Sequence, residues 1–425
     1  MALNDMAVSH IRTGFPALQQ TVDGSPVIFF DSPGGSQIHG SAIEAMQRYL
    51  VAMNSNAHGV FSHSVRTDEI TYEARIALAD FLNAPRPEEI VFGPNMTTLS
   101  FRISQAVGRT MKPGDEIVVT KLDHDANISP WLALRENGII VRFVDFDPQD
   151  CTLDMAGMEQ AINRNTKVVA VGYASNSLGT INQVKLVTEM AHEMGAWVFI
   201  DAVHYAPHGP IDVVELGCDF LACSAYKFFG PHLGVLYGRY ELLDRLPALK
   251  VTPAGDFPPE KFETGTNNFE GISGTAAAID YLASVGDSFG AEFKQEFRAM
   301  TGRRQSLKAG MYSIRDYEKQ LCRELLTGIA QIPGIQVYGI CDLEKLDQRV
   351  PTVSFTMQGL SPREVAFRLN EKNIFVWDGH FYAVAAVERL GLQNRGGLVR
   401  VGICHYNTKR EVEILVESLG EISRG

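Results

Sequence analysis

The chain has 425 residues, is 45% hydrophobic and 21% charged, and carries a formal net charge of −12. This balance allows a large core in two or three domains, and with no block of lysines or arginines it argues against a nucleic-acid or anionic-membrane surface. The six cysteines are irregularly spaced with no CxxC pair, which reads as reduced thiols in a cytosolic protein; Met1 to Arg12 lacks a signal peptide's apolar centre, and no run of about 18 apolar residues suggests a membrane span.

Residues 1–25 read as an irregular or helical arm. Val27 to Phe30 is a short apolar strand, Asp31-Ser32-Pro33-Gly34-Gly35 a turn, and Ser41 to Met53 has helical spacing. A polar loop with His58 and His63 follows, then helical periodicity from Thr67 to Leu82. The strand Glu89 to Phe92 runs into Gly93-Pro94-Asn95-Met96-Thr97-Thr98, and a helix follows from Leu99 to Val107. Such a turn offers free N–H groups and hydroxyls, so it is either a phosphate cradle or an ordinary N-cap. There is no GxGxxG and no Walker loop.

Glu116 to Thr120 is the next strand, with Asp123-His124-Asp125-Ala126-Asn127 beyond it. Ile139 to Val144 is a strand, Met158 to Arg164 a helix, and Lys167 to Ala174 a strand ending in Ser175-Asn176-Ser177-Leu178-Gly179. Leu186 to Met194 is a helix closed by Gly195. The apolar strand Trp197 to Ile200 ends in Asp201, with His204 and His208 beyond. Their spacing suits zinc only on a helix, and Pro207 lies between them, so no metal is assigned. Phe220 to Cys223 is a buried-looking strand leading into Ser224-Ala225-Tyr226-Lys227. This alternation implies right-handed βαβ crossovers and a largely parallel sheet.

At the carboxyl end of such a strand, where open α/β sheets bind ligands, an aromatic-flanked lysine out of bulk water has a depressed pKa and forms Schiff bases with aldehydes. Lys227 is either placed that way or a solvated loop lysine, and Asp201 closes an earlier strand. Lysine and carboxylate suit pyridoxal phosphate (PLP): one holds the aldehyde, the other keeps the pyridine nitrogen protonated.

Gly234 to Gly238 is a further strand, and a Gly- and Pro-rich loop runs from Pro253 to Gly274. Gly274 to Val285 is helical, and Phe293 to Ala330 reads as a long charged helix broken near Gly310. Strands Ile335 to Tyr338 and Val353 to Thr356 then alternate with helices Pro362 to Asn370 and Lys409 to Ile422, a smaller α+β unit with an antiparallel sheet. The expected division is an arm at 1–25, a large domain at 26–283 and a small domain at 284–425. Arg400, on the apolar strand Leu398 to Val401, needs an anionic partner: either a substrate carboxylate or a structural acid.

Five blocks in order resemble the class V aminotransferase family of fold-type I PLP enzymes, in its cysteine desulfurase branch. They are Asp-His-Asp-Ala-Asn at 123–127, Ser-Asn-Ser-Leu-Gly-Thr at 175–180, Asp-Ala-Val-His at 201–204, Ser-Ala-Tyr-Lys at 224–227 and Glu-Thr-Gly-Thr-Asn at 263–267. The resemblance implies Lys227 as the Schiff-base lysine and proton shuttle, Asp201 on the pyridine nitrogen and His124 stacked on the ring. It places Asn176 and His204 near the ring hydroxyl, His204 standing where glutamine is usual. Thr97, Ser224, the amides near Met96 and Tyr226, in place of a usual histidine, would hold the phosphate. Thr266 would reach the neighbouring subunit's phosphate, implying a homodimer with shared sites. Arg400 would clamp the carboxylate of an amino-acid substrate, with Trp377, His380 and Tyr382 lining its site.

The pattern departs from the family where its persulfide-forming cysteine stands on a small-domain loop. Here that stretch is Val376-Trp377-Asp378-Gly379-His380-Phe381-Tyr382, with Tyr382 in the cysteine's place and Trp377 where an arginine is common. Proton removal at Cα after transaldimination then leads to C–S lyase or desulfurase-like chemistry without that cysteine, to transamination, or to epimerisation as in the related isopenicillin N epimerase. Tyr382 is either a second acid or a packing aromatic. A PLP-binding protein without catalysis is the alternative of another class.

Overall fold

The computed structural model describes residues 3–425, so Met1 and Ala2 of the expected arm lie outside it. The arm forms helix α1 (Asp5–Ile11) and two short 3-10 turns, then strand β1 (Ile28–Phe29). Helices α2 (Gly40–Ala52) and α3 (Ser62–Leu82) follow. The large sheet is built from β2 (Ile90–Gly93), β3 (Glu116–Thr120), β4 (Ile140–Val144), β5 (Thr166–Gly172), β6 (Trp197–Asp201), β7 (Phe220–Ser224) and β8 (Gly234–Gly238). Its helices include α4 (Met96–Gly108), α5 (Val184–Glu193) and α6 (Phe269–Phe289). The order across the seven strands is β2-β8-β7-β6-β5-β3-β4. Only β8 runs against its neighbours, and the other pairings are parallel. Strands β2, β3, β5, β6 and β7 therefore end on one edge, the ligand-binding edge of an open α/β sheet.

Apolar residues on both faces explain why the strands read as continuous hydrophobic runs. Val118, Val169, Val198, Leu221 and Val235 join one core cluster. Ile117, Val119, Ala170, Phe199, Phe220 and Leu236 join the other.

After α7 (Gly302–Ile329) come β9 (Ile335–Tyr338), β10 (Thr352–Met357), α8 (Pro362–Asn370), β11 (Ile374–Phe375), β12 (Trp377–Gly379), β13 (Leu398–Gly402) and α9 (Lys409–Arg424). Four of these strands form an antiparallel sheet in the order β9-β10-β13-β12. β11 instead pairs in parallel with β1, tying the start of the chain to its C-terminal part.

The expected break near Gly310 does not occur, for α7 runs unbroken through it. Gly310 lies where α7 crosses α6. A Cβ there would stand 2.7 Å from the Leu282 carbonyl oxygen, and one at Gly286 would stand 1.7 Å from that of Ser306. These glycines let two helix backbones meet, a use that sequence does not separate from helix termination. The charged stretch before α7 forms turns rather than helix, and the helix starts at Gly302 with Thr301 as its N-cap. Among the described residues no helix is long and apolar enough to cross a membrane.

Candidate active site

A cleft of about 840 Å³ opens along the common strand edge. Its lining includes Met96, Thr97, His124, Asn176, Asp201, His204, Ser224, Tyr226, Lys227, Trp377, His380, Tyr382 and Arg400. Residues from six strand ends and two sheets thus converge on one space. Thr266 does not join them: it is exposed on the loop before α6, outside the cleft of its own chain.

Lys227 ends a 3-10 turn directly after β7 and is buried. Its Nζ donates to the Pro33 carbonyl and sits 4.8 Å from the centre of the Tyr226 ring. Burial, helped by the Arg400 charge and opposed by Asp201, brings the amine from 10.5 down to about 7. Asp201, the last residue of β6, accepts from the Val203 N–H through Oδ1 at 2.9 Å. Burial lifts its carboxyl to about 6, with the Val203 N–H and Lys227 opposing.

His124 follows β3 and accepts the Ala126 N–H at 3.0 Å through Nδ1. Burial, with Lys227 nearby, holds its imidazole down at about 4, so the ring is neutral. The loop carrying it is pinned by buried Asp123, which accepts from the Gly172 N–H at 2.8 Å and from Asn127 Nδ2 at 2.9 Å. His204 bonds Thr352 Oγ1 through Nε2 at 2.9 Å.

The first turn of α4 faces the same cleft. Asn95 caps it by accepting the Thr98 N–H at 2.9 Å, and the Met96 N–H reaches Ser224 Oγ at 3.3 Å. The remaining N–H groups and the positive end of the helix suit a phosphate.

Arg400 comes from β13 and is buried. Its Nη1 donates to the Asn176 carbonyl at 2.9 Å, its guanidinium lies 4.1 Å from the Phe381 ring centre, and its Nε has no partner. Asn176 donates through Nδ2 to the Phe381 carbonyl at 2.9 Å, while its Oδ1 is buried without a partner. Tyr382 lies nearly parallel to the His124 ring, 5.5 Å between centres. His380 accepts the Tyr382 N–H at 3.1 Å, and Trp377 Nε1 donates to the Asp31 carbonyl at 3.0 Å.

Residues 31–35, which read in the sequence as a turn, also build the site. They supply the carbonyl that holds Lys227, and Asp31, whose carboxyl is lifted to about 6 by burial against the opposing charge of Arg400. The one available signal was an Asp-Ser-Pro-Gly-Gly turn directly after a buried strand.

The free valences fit PLP. A buried amine of lowered pKa matches an aldehyde, Asp201 a pyridine nitrogen, the unpartnered Asn176 Oδ1 a ring hydroxyl, and the α4 N-terminus with Ser224 a phosphate. The unpartnered Arg400 Nε remains for a carboxylate.

Comparison with known proteins gives the family. The pattern of Aminotransferase class-V matches residues 28–305 and 303–415. An aminotransferase-like protein of Gibberella zeae is 34% identical, with 99% of each chain covered. A probable cysteine desulfurase of Halalkalibacterium halodurans is 32% identical over 97% of each. The chain spans only 58% of a further, 32% identical relative, a probable cysteine desulfurase of Mycolicibacterium paratuberculosis. Among solved structures, the apo cysteine desulfurase of Thermococcus onnurineus superposes with a TM-score of 0.85 at 30% identity, covering 98% of both chains. A cysteine desulfurase of Escherichia coli, in its S-sulfonic acid form, gives 0.81 at 26%, covering 97% of this chain and 98% of that one. The chain belongs to the class-V aminotransferase family of PLP-dependent enzymes.

Proposed function

We propose that the protein acts at Cα of an amino acid and cleaves a carbon–sulfur bond, as a lyase or desulfurase-like enzyme that works without a persulfide cysteine. The observation that carries this reading is one cleft holding a buried amine of lowered pKa, a buried carboxylate beside it and an arginine edge without a partner. The cysteine desulfurases among its relatives support the sulfur chemistry. Among the described residues lining the cleft there is no cysteine, which supports release of the sulfur to solution rather than its capture by the enzyme.

Bound PLP supplies an aldehyde for attachment and a protonated ring that draws electrons from Cα. Lys227 holds that aldehyde at rest and, as a free amine near neutral pH, takes the Cα proton. Asp201 keeps the pyridine nitrogen protonated, and His124 forms a neutral wall against the ring. Asn176 and His204 meet the ring hydroxyl. Met96 N–H, Thr97, Ser224 and Tyr226 hold the phosphate, joined by Thr266 from a second copy of the chain in a cytoplasmic homodimer. Arg400 orients the substrate carboxylate, with Trp377, His380 and Tyr382 around the side chain. Residues 26–283 form the large domain in this reading and 284–425 the small one.

The test is product analysis with L-cysteine and no added thiol, for wild type and Lys227→Ala. Pyruvate with sulfide from the wild type alone is expected. Alanine would indicate desulfuration with another sulfur acceptor. Keto-acid formation with the sulfur retained, or loss of the Cα configuration alone, would move the assignment to transamination or epimerisation.

A further inference from the structure

The loop after β12 is held in a backbone shape that ordinary residues rarely adopt. Phe381 and Tyr382 have φ of 55° and 58°, and Gly379 before them 114°. Two successive left-handed residues with large side chains are costly, and such strain persists where surrounding contacts enforce it. Both carbonyls are latched here: Asn176 Nδ2 donates to that of Phe381 at 2.9 Å and the Asp125 N–H to that of Tyr382 at 2.7 Å.

The result is a mouth walled by rings. Phe381 covers the face of Arg400, Tyr382 parallels His124, and Trp377 stands beside them, 47% exposed. Phe101 from α4 also lines the cleft. A substrate carboxylate reaching Arg400 meets the edge of the guanidinium, because Phe381 lies over its face. The substituent at Cα then extends along Phe381 and Tyr382. Free cysteine carries nothing beyond its sulfur to cover these ring faces, so a longer apolar substituent gains more from them. Asp125, also in the lining, disfavours an anionic substituent.

We propose that the substrate is a cysteine thioether, its sulfur carrying an uncharged apolar group, best an aromatic one. This rests on the reading of the cleft as a PLP site working at Cα. Lys227 accepts the Cα proton. The Cβ–S bond breaks, and sulfur leaves with the bonding pair and gains a proton from the Tyr382 hydroxyl or water to become a thiol. The three-carbon enamine left behind takes up water and yields pyruvate and ammonia. No net oxidation or reduction occurs, so neither an acceptor thiol nor a reductant is required.

The experiment uses the PLP-loaded enzyme with S-benzyl-, S-methyl- and S-carboxymethyl-L-cysteine and free L-cysteine, measuring thiol and pyruvate together. L-phenylalanine and L-alanine serve as binding probes through the visible absorbance of the cofactor. Burying a phenyl group against these rings is worth about 10- to 100-fold in kcat/KM over S-methyl-L-cysteine and L-cysteine, with benzyl mercaptan and pyruvate in equal amounts and the carboxymethyl compound poorest. L-phenylalanine should bind more tightly than L-alanine by a similar factor, and Trp377→Ala and Tyr382→Ala should narrow the benzyl-to-methyl ratio. Equal binding of the two probes, or L-cysteine matching the benzyl compound, would overturn the proposal. Borohydride labelling separates the two failures: an unlabelled Lys227 refutes the cofactor reading, whereas a labelled Lys227 with a ratio near one refutes the thioether alone.

Discussion

Burial of Lys227 should make cofactor capture fast at neutral pH. A lysine at 10.5 has about one amine in three thousand unprotonated at pH 7, whereas one at about 7 has about half. Capture of the aldehyde needs the neutral amine, so Lys227 should react on the order of 10³-fold faster than an exposed lysine. The sign follows from the direction of the shift: the rate climbs as pH rises towards about 7 and is flat above it. After burial, the Arg400 charge is the next cause of the depression, so Arg400→Met should move the midpoint upward. The assay is stopped-flow absorbance of cofactor-free protein mixed with PLP between pH 5.5 and 9.5. A rate still rising tenfold per pH unit from 8 to 9.5 would show that Lys227 titrates as an ordinary lysine. The account of the site would then fail.

Asp201→Asn should still attach the cofactor at Lys227 but lose about 10²- to 10⁴-fold in kcat, since an amide cannot keep the pyridine nitrogen protonated; near-normal turnover would remove Asp201 from the chemistry. Arg400→Lys replaces a planar fork by a point charge and should raise KM about 10- to 100-fold while leaving the visible absorbance band in place. Arg75 and Glu263 form a buried pair with two bonds of 2.8 Å, and Glu263 also accepts the Phe92 N–H at 2.7 Å. Arg75→Met strands that carboxylate and should cost about 3–5 kcal/mol in chemical denaturation; a loss below about 1 kcal/mol would mean that the pair is replaced locally.

The strand ends at Asp201 and Lys227 were legible because apolar runs bounded by polar residues betray buried parallel strands. The five ordered blocks then gave the family. What escaped depends on partners far away in sequence. The Pro33 carbonyl lies 194 residues from the lysine it holds. The pairing of Ile28–Phe29 with Ile374–Phe375 joins two dipeptides too short to carry a period. Gly310 shows the limit of local rules, since one residue type serves both to end helices and to let them cross. Tyr382 could be aligned to the place of the loop cysteine, but its left-handed backbone and its stacking on His124 are products of the latched carbonyls. Thr266 is exposed on the loop before α6, outside its own chain's cleft, a placement that no local pattern marks.

The central claim is that Lys227 carries the cofactor, and borohydride reduction tests it most directly. The loaded protein is treated with borohydride, digested and mapped by mass. The account predicts a visible absorbance band that disappears on reduction, with a phosphopyridoxyl mass on the peptide containing Lys227 and none in Lys227→Ala. A colourless protein that PLP cannot reconstitute, or a label on any other lysine, would contradict it.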